Sequence, residues 1–394
     1  MLNQNLRPDS TLMMKGALAL SPEAPLQVVP IKKPRPAKEQ ILVKLVASGI
    51  CHTDIMVKSN NLCSFPIILG HEGAGVIEEV GEGVEGYEPG DHVILTFDAC
   101  GHCQPCQNNH PAYCHEHGPL NFSGERKNGG PKYSSWDHEF EDISGAFFQQ
   151  SSFATHCLSH PNNTVKVSKD LPLETLAPLG CGVQTGAGTV FNTLDVAPGS
   201  SLAIFGVGCV GLAALLAAKC RKASPIVAID LNPQRLQLAQ ELGATQTFNP
   251  KDYDSTESFM AAIREATPGS EGLNFAIDTT GQPRVLRQAF DSCGIQGRTA
   301  MIAPGVPGTE VSIEMLSLLP GKKLEGVIQG DANPKDLIPH LIELWQQGQF
   351  PFDQMITFFS GLDALNEAIA ATNRGDVVKA VIQLGREPSH ESPH

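Results

Sequence analysis

The pattern of hydrophobic and polar positions changes near residue 200. Before residue 100, three short stretches alternate apolar and polar residues between clusters of Gly and Pro, namely QILVKLVA (40–47), GVIEEV (75–80) and DHVIL (91–95). A period of two is typical of strands with one buried face, so this part predicts a compact antiparallel β domain. Residues 101–150 lose the periodicity and are rich in His, Gly, Asn and Ser. They predict a long excursion of loops, and loops of this length are usually either functional or held by an internal cross-link such as a metal site.

From Ser200 onward, apolar runs alternate with helical patterns. Buried strands are predicted at SLAIF (201–205), PIVAID (225–230), NFAIDT (274–279) and RTAMIAP (298–304), with a helix at 207–222. Strands that alternate with helices indicate a doubly wound parallel sheet. After about residue 329 the pattern predicts a helix (334–347), a Phe-rich segment and a final strand (377–384). The polar tail at 386–394 is expected to be disordered.

The composition is that of a folded globular protein. Of the 394 residues, 41% are hydrophobic and 18% are charged, which is far from the signature of a disordered chain. The 28 Lys and Arg against 42 Asp and Glu give a formal net charge of −14, which disfavours nucleic acid and anionic membranes as partners. Because the sequence shows neither a run of about 20 apolar residues nor a signal-peptide core, we expect a cytoplasmic protein.

The segment GVGCVG (206–211) fits the pattern G-x-G-x-x-G through Gly206, Gly208 and Gly211. It follows a predicted strand and opens a predicted helix, and Asp230 ends the next strand, which is the context of a dinucleotide-binding turn. The Asp230 carboxylate would accept hydrogen bonds from ribose hydroxyls and repel a 2′-phosphate, which favours NAD over NADP. The alternative is a Gly-rich turn without a ligand. Arg235 could contact the same ribose or be an ordinary solvated residue.

Four of the eleven cysteines fall close together, at Cys100, Cys103, Cys106 and Cys114. Their spacing allows four thiolates to close on one tetrahedral zinc ion, which would staple the long excursion without leaving an open coordination position. The alternatives are redox disulfides or unpaired thiols. A second set, Cys51, His71 and Cys181, is scattered along the chain, and each member alone would usually be a core or surface residue.

Together these motifs resemble the zinc-dependent alcohol dehydrogenases of the medium-chain dehydrogenase/reductase family. The resemblance runs from about Met14 to Leu384 and includes CHTD (51–54), GHEGAG (70–75), the four cysteines and GVGCVG. The stretches GAFFQQSSFA (145–154) and LGCGVQTGAG (179–188) look most like the aryl-alcohol, or benzyl alcohol, branch.

The resemblance implies an α/β protein with two domains. A GroES-like, mainly antiparallel β catalytic domain is expected over 1–184, with a structural zinc lobe at 98–116. A Rossmann domain with a doubly wound parallel sheet is expected over 185–328, after which residues 329–394 return to the catalytic domain.

The resemblance also implies two zinc ions and NAD(H) for each chain. Cys51, His71 and Cys181 would hold the catalytic zinc with a fourth position left for water or substrate, as in the Cys2His site of alcohol dehydrogenase. A divalent cation can lower the pKa of a bound oxygen by many units, and hydride would then pass to the nicotinamide. Two further positions match cofactor contacts of the family: Thr185 would lie under the nicotinamide ring, and Lys379 would reach the pyrophosphate.

Around the first zinc ligand the resemblance assigns a proton path. Thr53 matches the hydroxyl that takes the alcohol proton, and Asp54 and Glu72 match acids that orient the zinc ligands. In animal members the relay ends at a histidine, where this chain has Met56, which cannot carry a proton. His52 matches a position that contacts the pyrophosphate, and it could also be the proton outlet because imidazole titrates near neutrality.

The function implied is zinc-dependent, NAD-linked oxidation of a primary aryl or allylic alcohol to the aldehyde by reversible hydride transfer. An aldehyde or lactol reductase of secondary metabolism could use the same site. A glutathione-adduct dehydrogenase, a polyol dehydrogenase and a zinc-holding scaffold with an inactive nucleotide fold are further alternatives. The expected partners are a small-molecule substrate and other copies of the chain, as a dimer or a tetramer.

Overall fold

The computed structural model describes residues 12–127, 129 and 132–385, so the predicted tail at 386–394 lies outside the described residues. Its strands, in chain order, are β1 (Met13–Ala19), β2 (Gln27–Lys32), β3 (Ile41–Gly49), β4 (Ile67–Ile68), β5 (Gly73–Val80), β6 (His92–Leu95), β7 (His156–Ser159), β8 (Thr164–Val167), β9 (Leu202–Phe205), β10 (Ile226–Ile229), β11 (Gln246–Phe248), β12 (Leu273–Asp278), β13 (Cys293–Met301), β14 (Lys323–Gly326), β15 (Ile356–Ser360) and β16 (Lys379–Gln383).

Its α-helices, in chain order, are α1 (His52–Ser59), α2 (Gln104–Gln107), α3 (His117–Phe122), α4 (Leu173–Leu176), α5 (Gly182–Gly188), α6 (Cys209–Cys220), α7 (Pro233–Leu242), α8 (Thr256–Glu265), α9 (Pro283–Ser292), α10 (Pro334–Gln346) and α11 (Leu365–Arg374). Short 3-10 turns join several of these elements. No helix among the described residues is long and apolar enough to cross a membrane.

The chain divides into two compact units, one built from residues 1–181 together with 356–394 and the other from 182–355. In the first unit, a seven-stranded sheet has the order β15-β16-β3-β5-β6-β8, with β7 also paired to β3. Its pairs are antiparallel except β15 with β16. A smaller antiparallel sheet has the order β2-β1-β4. This is the mainly antiparallel domain that the alternating pattern predicted.

The second unit is a six-stranded sheet of order β11-β10-β9-β12-β13-β14, parallel throughout. Residues of β9 and β10 are buried at every position, which explains their continuous apolar runs. The strand order reverses between β9 and β12, and ligands of such sheets bind at the carboxyl ends of the strands beside that point.

The structure places residues 329–355 in the second unit, whereas the sequence analysis assigned them to the first domain. The reason is close packing within that unit. A Cβ atom on Gly188 would lie 2.4 Å from the carbonyl oxygen of Gly330, so the chain at 330 runs directly against α5. Phe350 and Phe352 are also fully buried there, with the Phe352 ring 5.6 Å from that of Trp345.

Candidate active site

Three ligand-bearing segments of the first unit converge. Cys51 stands just before α1, His71 just before β5, and Cys181 follows the turn after α4. One donor atom from each of Cys51, His71, Glu72 and Cys181 lies within 4.8 Å of the others. The Nε2 atom of His71 is 3.3 Å from the sulfur of Cys181. The structure therefore brings together the scattered residues that the resemblance had matched.

Asp54 fixes two of these ligands. Its Oδ2 accepts the backbone N–H of Cys51 at 3.0 Å, and its Oδ1 accepts the N–H of Gly70 at 3.0 Å and Nδ1 of His71 at 2.8 Å. Because Nδ1 is engaged in this way, Nε2 of His71 is the nitrogen left to face a metal. Although burial opposes it, the Asp54 carboxylate raises the pKa of His71, which makes the imidazole a better ligand.

The thiols and the acid of this cluster are also tuned by their surroundings. The hydrogen bond from Cys181 lowers the pKa of Cys51, against the effect of burial, and the charged His71 adds to this effect. A low thiol pKa favours the thiolate, which is the form that binds metal. Burial raises the pKa of Glu72, although its ion pair with Lys379 opposes the shift.

Two thiols and an oriented imidazole nitrogen are the donor set of a catalytic zinc site, so these residues fit the ion that the motifs imply. Cys51, His71 and Cys181 would hold it. A carboxylate oxygen of Glu72 also lies within 4.8 Å of their donor atoms. The sequence analysis did not predict this proximity, because the resemblance gave Glu72 only the role of orienting the ligands.

The four-cysteine lobe has the dimensions of a tetrahedral thiolate site. The sulfur of Cys103 is 3.4 Å from that of Cys106 and 3.9 Å from that of Cys114, and the sulfurs of Cys100 and Cys106 are 4.0 Å apart. Four sulfurs at about 2.3 Å from one zinc would stand about 3.8 Å apart. These distances are too long for disulfides, and all eleven cysteines are free thiols. The lobe therefore fits a structural zinc.

In the second unit, the three motif glycines have three different surroundings. Gly206 has φ of +88°, and a Cβ there would meet the Thr279 hydroxyl at 2.5 Å. A Cβ on Gly211 would lie 2.0 Å from the Gly206 carbonyl oxygen, so this glycine lets α6 pack on β9. At Gly208 the nearest atom to such a Cβ, on Arg235, is 4.0 Å away. This open face at the start of α6 fits a dinucleotide pyrophosphate.

Asp230 lies beside this turn. Its Oδ2 accepts the N–H of Val207 at 2.8 Å and its Oδ1 accepts the N–H of Asn232 at 2.9 Å, so the carboxylate is held against the loop. Each oxygen retains capacity for a further hydrogen bond, as ribose recognition requires. Arg235 is half-buried, and its guanidinium lies near Gly208.

The remaining predicted residues have mixed positions. Thr53 is half-buried and His52 exposed at the start of α1. Thr185 is buried in α5, and its hydroxyl donates to Oε1 of Gln329 at 3.3 Å. Lys379 was expected on the pyrophosphate. Its side chain is 3% exposed, and its ammonium pairs with Glu72 and donates to the carbonyl of Ile50 at 2.9 Å. In the structure this lysine neutralises the charge of the buried Glu72 carboxylate.

Sequence reasoning missed two side chains in contact with a ligand. The ring of Phe148 stacks on the imidazole of His71 with centroids 4.4 Å apart and planes 23° from parallel, and Phe147 meets the same imidazole edge-on at 5.7 Å. The only signal was the segment GAFFQQSSFA, which carried the resemblance without a role for either phenylalanine.

Comparison with known proteins agrees with this geometry. Residues 37–169 match the alcohol dehydrogenase GroES-like domain and residues 209–347 the zinc-binding dehydrogenase model. The chain is 42% identical to geraniol dehydrogenase of Castellaniella defragrans over 361 residues, which cover 91% of this chain and 94% of that protein. It is 32% identical to S-(hydroxymethyl)glutathione dehydrogenase of Escherichia coli over 374 residues, 94% of this chain and 99% of that protein.

Among solved structures, benzyl alcohol dehydrogenase from Acinetobacter calcoaceticus superposes with a TM-score of 0.89 and 42% identity, covering 95% of this chain and 99% of that one. Fold, donor sets and glycine-rich turn together define a zinc-binding, dinucleotide-dependent dehydrogenase. The chain belongs to the zinc-dependent alcohol dehydrogenases of the medium-chain dehydrogenase/reductase family. The predicted fold class and the cofactors, zinc and NAD(H), are thereby confirmed.

Proposed function

We propose that this enzyme oxidises primary allylic or aryl alcohols to aldehydes with NAD, and that the reaction is reversible. The observation that carries the proposal is the Cys51, His71 and Cys181 donor set within a chain that is 42% identical both to a geraniol and to a benzyl alcohol dehydrogenase. Geraniol is an allylic alcohol and benzyl alcohol an aryl one. In both, the carbon that loses hydride adjoins a π system, and the chemistry at that carbon is shared.

In this proposal the zinc, when bound, supplies Lewis acidity that lowers the pKa of the alcohol, and NAD accepts the hydride. The protein's own residues orient and transfer protons. Asp54 holds the first two ligands in place, and Lys379 neutralises the acid beside them. Thr53, two residues after Cys51, receives the alcohol proton, and exposed His52 releases it to solvent.

The test is a panel of alcohols with NAD and of the matching aldehydes with NADH. We expect kcat/KM for geraniol, cinnamyl alcohol and benzyl alcohol to exceed that for hexanol by about 10-fold or more, since each well-placed apolar contact is worth 10-fold or more in discrimination. Equal rates with straight-chain alcohols would refute the assigned substrate class. Measuring both directions tests the alternative that the enzyme serves as an aldehyde or lactol reductase.

A second candidate rests on the similarity to S-(hydroxymethyl)glutathione dehydrogenase, which spans almost the full chain at 32% identity. The same panel decides between the two when it includes S-(hydroxymethyl)glutathione, formed from formaldehyde and glutathione. A kcat/KM for this adduct above those of the allylic and aryl alcohols would assign the enzyme to that reaction instead.

The contacts of Asp230 lead to a prediction on cofactor choice. Because its carboxylate lies against the glycine-rich turn, a 2′-phosphate on the adjacent ribose would meet a negative charge. We expect NAD to be preferred in the unmodified enzyme, and Asp230→Ser to reduce the ratio of kcat/KM for NAD over NADP by about 10-fold or more, the effect of about 1.4 kcal/mol. Equal use of NADP by the unmodified enzyme would show that the ribose assignment is wrong.

We further propose that the chain forms a homo-oligomer, a dimer or a tetramer. Support comes from large apolar side chains exposed on the second unit near its edge strand β14, including Ile295, Met315, Leu316 and Leu319. Monomers rarely leave such groups clustered in water, and an edge strand is a ready pairing surface. Sedimentation should give a mass of two or four chains. Leu316→Glu combined with Leu319→Glu should lower that mass, and an unchanged mass would place the interface elsewhere.

We also propose that the enzyme is cytoplasmic. The free state of all eleven cysteines, six of them in two zinc donor sets, suits a reducing compartment. Recovery of the activity with the cytosolic fraction of disrupted cells would be the supporting result, and recovery with the membrane or periplasmic fraction would refute it.

A further inference from the structure

A fully buried segment, FFQQS (147–151), packs behind the catalytic donor set. Every side chain in it is at most 2% exposed. Phe148, Gln149 and Ser151 have φ values of +51°, +54° and +54°, a region that non-glycine residues rarely adopt. Such strain persists only where surrounding contacts determine it, and it is often found at functional sites. The contacts of this segment show what the unusual backbone accomplishes.

Gln150 uses all of its polar atoms on the chain around His71. Its Nε2 donates to the carbonyl oxygen of His71 at 3.0 Å and to that of Thr96 at 2.9 Å, and its Oε1 accepts the N–H of Gly73 at 3.1 Å. The side chain is completely buried. The amide group of Gln150 therefore binds the backbone on both sides of Glu72, and it also binds the backbone of Thr96 at the end of β6.

Thr96 extends the connection to another ligand. Its hydroxyl donates to the carbonyl oxygen of Gly180 at 2.7 Å, and Gly180 immediately precedes Cys181. A Cβ on Gly180 would lie 2.2 Å from the carbonyl oxygen of Leu95, so the two backbones are in close contact here. The path from His71 to Cys181 thus runs through two buried side chains, Gln150 and Thr96.

We propose that Gln150 is a positioning residue of the catalytic metal site, acting with Thr96 to fix the His71 segment against the Cys181 segment. Asp54 already links Cys51 to His71, and the Gln150–Thr96 connection links His71 to Cys181, so the three ligands are held by two separate sets of hydrogen bonds. The left-handed backbone at Phe148 and Gln149 aims Phe148 at the imidazole and Gln150 at the carbonyl oxygens behind it. The role goes beyond the proposed substrate and holds for any alcohol the site accepts.

The neighbouring Gln149 provides a matched control. It is equally buried, and its Nε2 donates to the carbonyl oxygens of Leu120 and Glu125 at 2.9 Å and 2.8 Å, while its Oε1 accepts the N–H of Lys127 at 3.2 Å. The two positions are adjacent and equally buried, and Gln149→Met and Gln150→Met each remove three hydrogen bonds. Only Gln150→Met removes contacts to a ligand-bearing segment.

The experiment follows zinc release from the purified zinc-loaded enzyme into excess chelator, together with thermal unfolding and kcat. The unmodified enzyme should release two zinc ions per chain in separate phases, of which the faster belongs to the Cys51, His71 and Cys181 site. We expect Gln150→Met to speed this phase about 10- to 100-fold, the usual effect of losing a group that supports a metal ligand, and to leave the slower phase unchanged. Gln149→Met should leave the faster phase unchanged even where it lowers the unfolding midpoint equally.

Equal acceleration by both variants, or none by Gln150→Met, would overturn the proposal. If Gln150→Met does not fold, Thr96→Val and Thr96→Ser decide the matter, because only serine keeps the hydroxyl that reaches Gly180. The proposal requires faster release in Thr96→Val and recovery in Thr96→Ser, and equal release rates would refute it. Failure of the zinc assignment itself would show earlier, as a single zinc in the unmodified chain.

Discussion

Replacing Cys181 by alanine should abolish turnover, remove one of two zinc ions and leave the chain folded. Cys181 supplies one of the three ligand atoms of the site, and the other two ligands, Cys51 and His71, are held in place by hydrogen bonds to Asp54. We expect kcat/KM to fall by about 10³-fold or more. A bound zinc ion lowers the pKa of a bound oxygen by about nine units, and losing only a third of that shift would reduce the deprotonated alcohol about 10³-fold. Metal analysis, kcat/KM and thermal unfolding are measured on the same preparation.

Cys103→Ala is the matched change in the other donor set. Its sulfur lies 3.4 Å from that of Cys106 in a lobe with four thiols, and closed thiolate sites contribute their binding free energy to folding. The unfolding midpoint should fall by about 5 °C or more, since each loss of 1 kcal/mol in the free energy of unfolding lowers the midpoint by about 2–4 °C in a domain of this size. A fully active enzyme with a single zinc per chain, or Cys181→Ala with normal turnover, would contradict the two-site assignment.

The sequence predicted the strands that follow a simple pattern and missed those that do not. β9 and β10 were predicted within a residue or two because both are apolar throughout and buried on both faces. β1 escaped because MMKGALA carries Gly and Ala where strands favour branched and aromatic residues. β2 escaped because Pro30 interrupts it, and the structure makes it an edge strand, where proline is tolerated.

The same distinction between local and long-range information applies to the site. The glycine-rich turn and the four-cysteine lobe are short segments whose spacing nearly determines their geometry, so their donor sets could be predicted. The pairing of Glu72, just before β5, with Lys379 of β16 joins residues about 300 positions apart in the chain, and no spacing encodes it. Gln150 acts through the backbone of other residues, so its importance depends on three-dimensional contacts alone.

The start of α1 leads to the second large expected effect, on proton transfer. Adjacent residues of a helix point about 100° apart, so half-buried Thr53 can face the substrate while His52 faces water. Met56, one turn later, packs against the apolar core and has no group that carries a proton. In the proposed relay, the outlet is therefore His52 or solvent itself.

Thr53→Ala should lower the rate of alcohol oxidation by about 10²- to 10⁴-fold, the usual contribution of a positioned proton acceptor, and Thr53→Ser should retain most of the rate because it keeps the hydroxyl. His52→Gln should slow oxidation most at low pH, where hydroxide is scarce and water is a weak base, and added imidazole should partly restore the rate. His138→Gln is the control, since His138 is also exposed but its imidazole contacts Lys32 and Glu141, which belong to neither donor set. A changed NAD affinity with unchanged turnover in His52→Gln would assign His52 to the pyrophosphate alone. The proton would then leave from Thr53 directly to water, and Thr53→Ala would be the substitution on this path that stops its transfer.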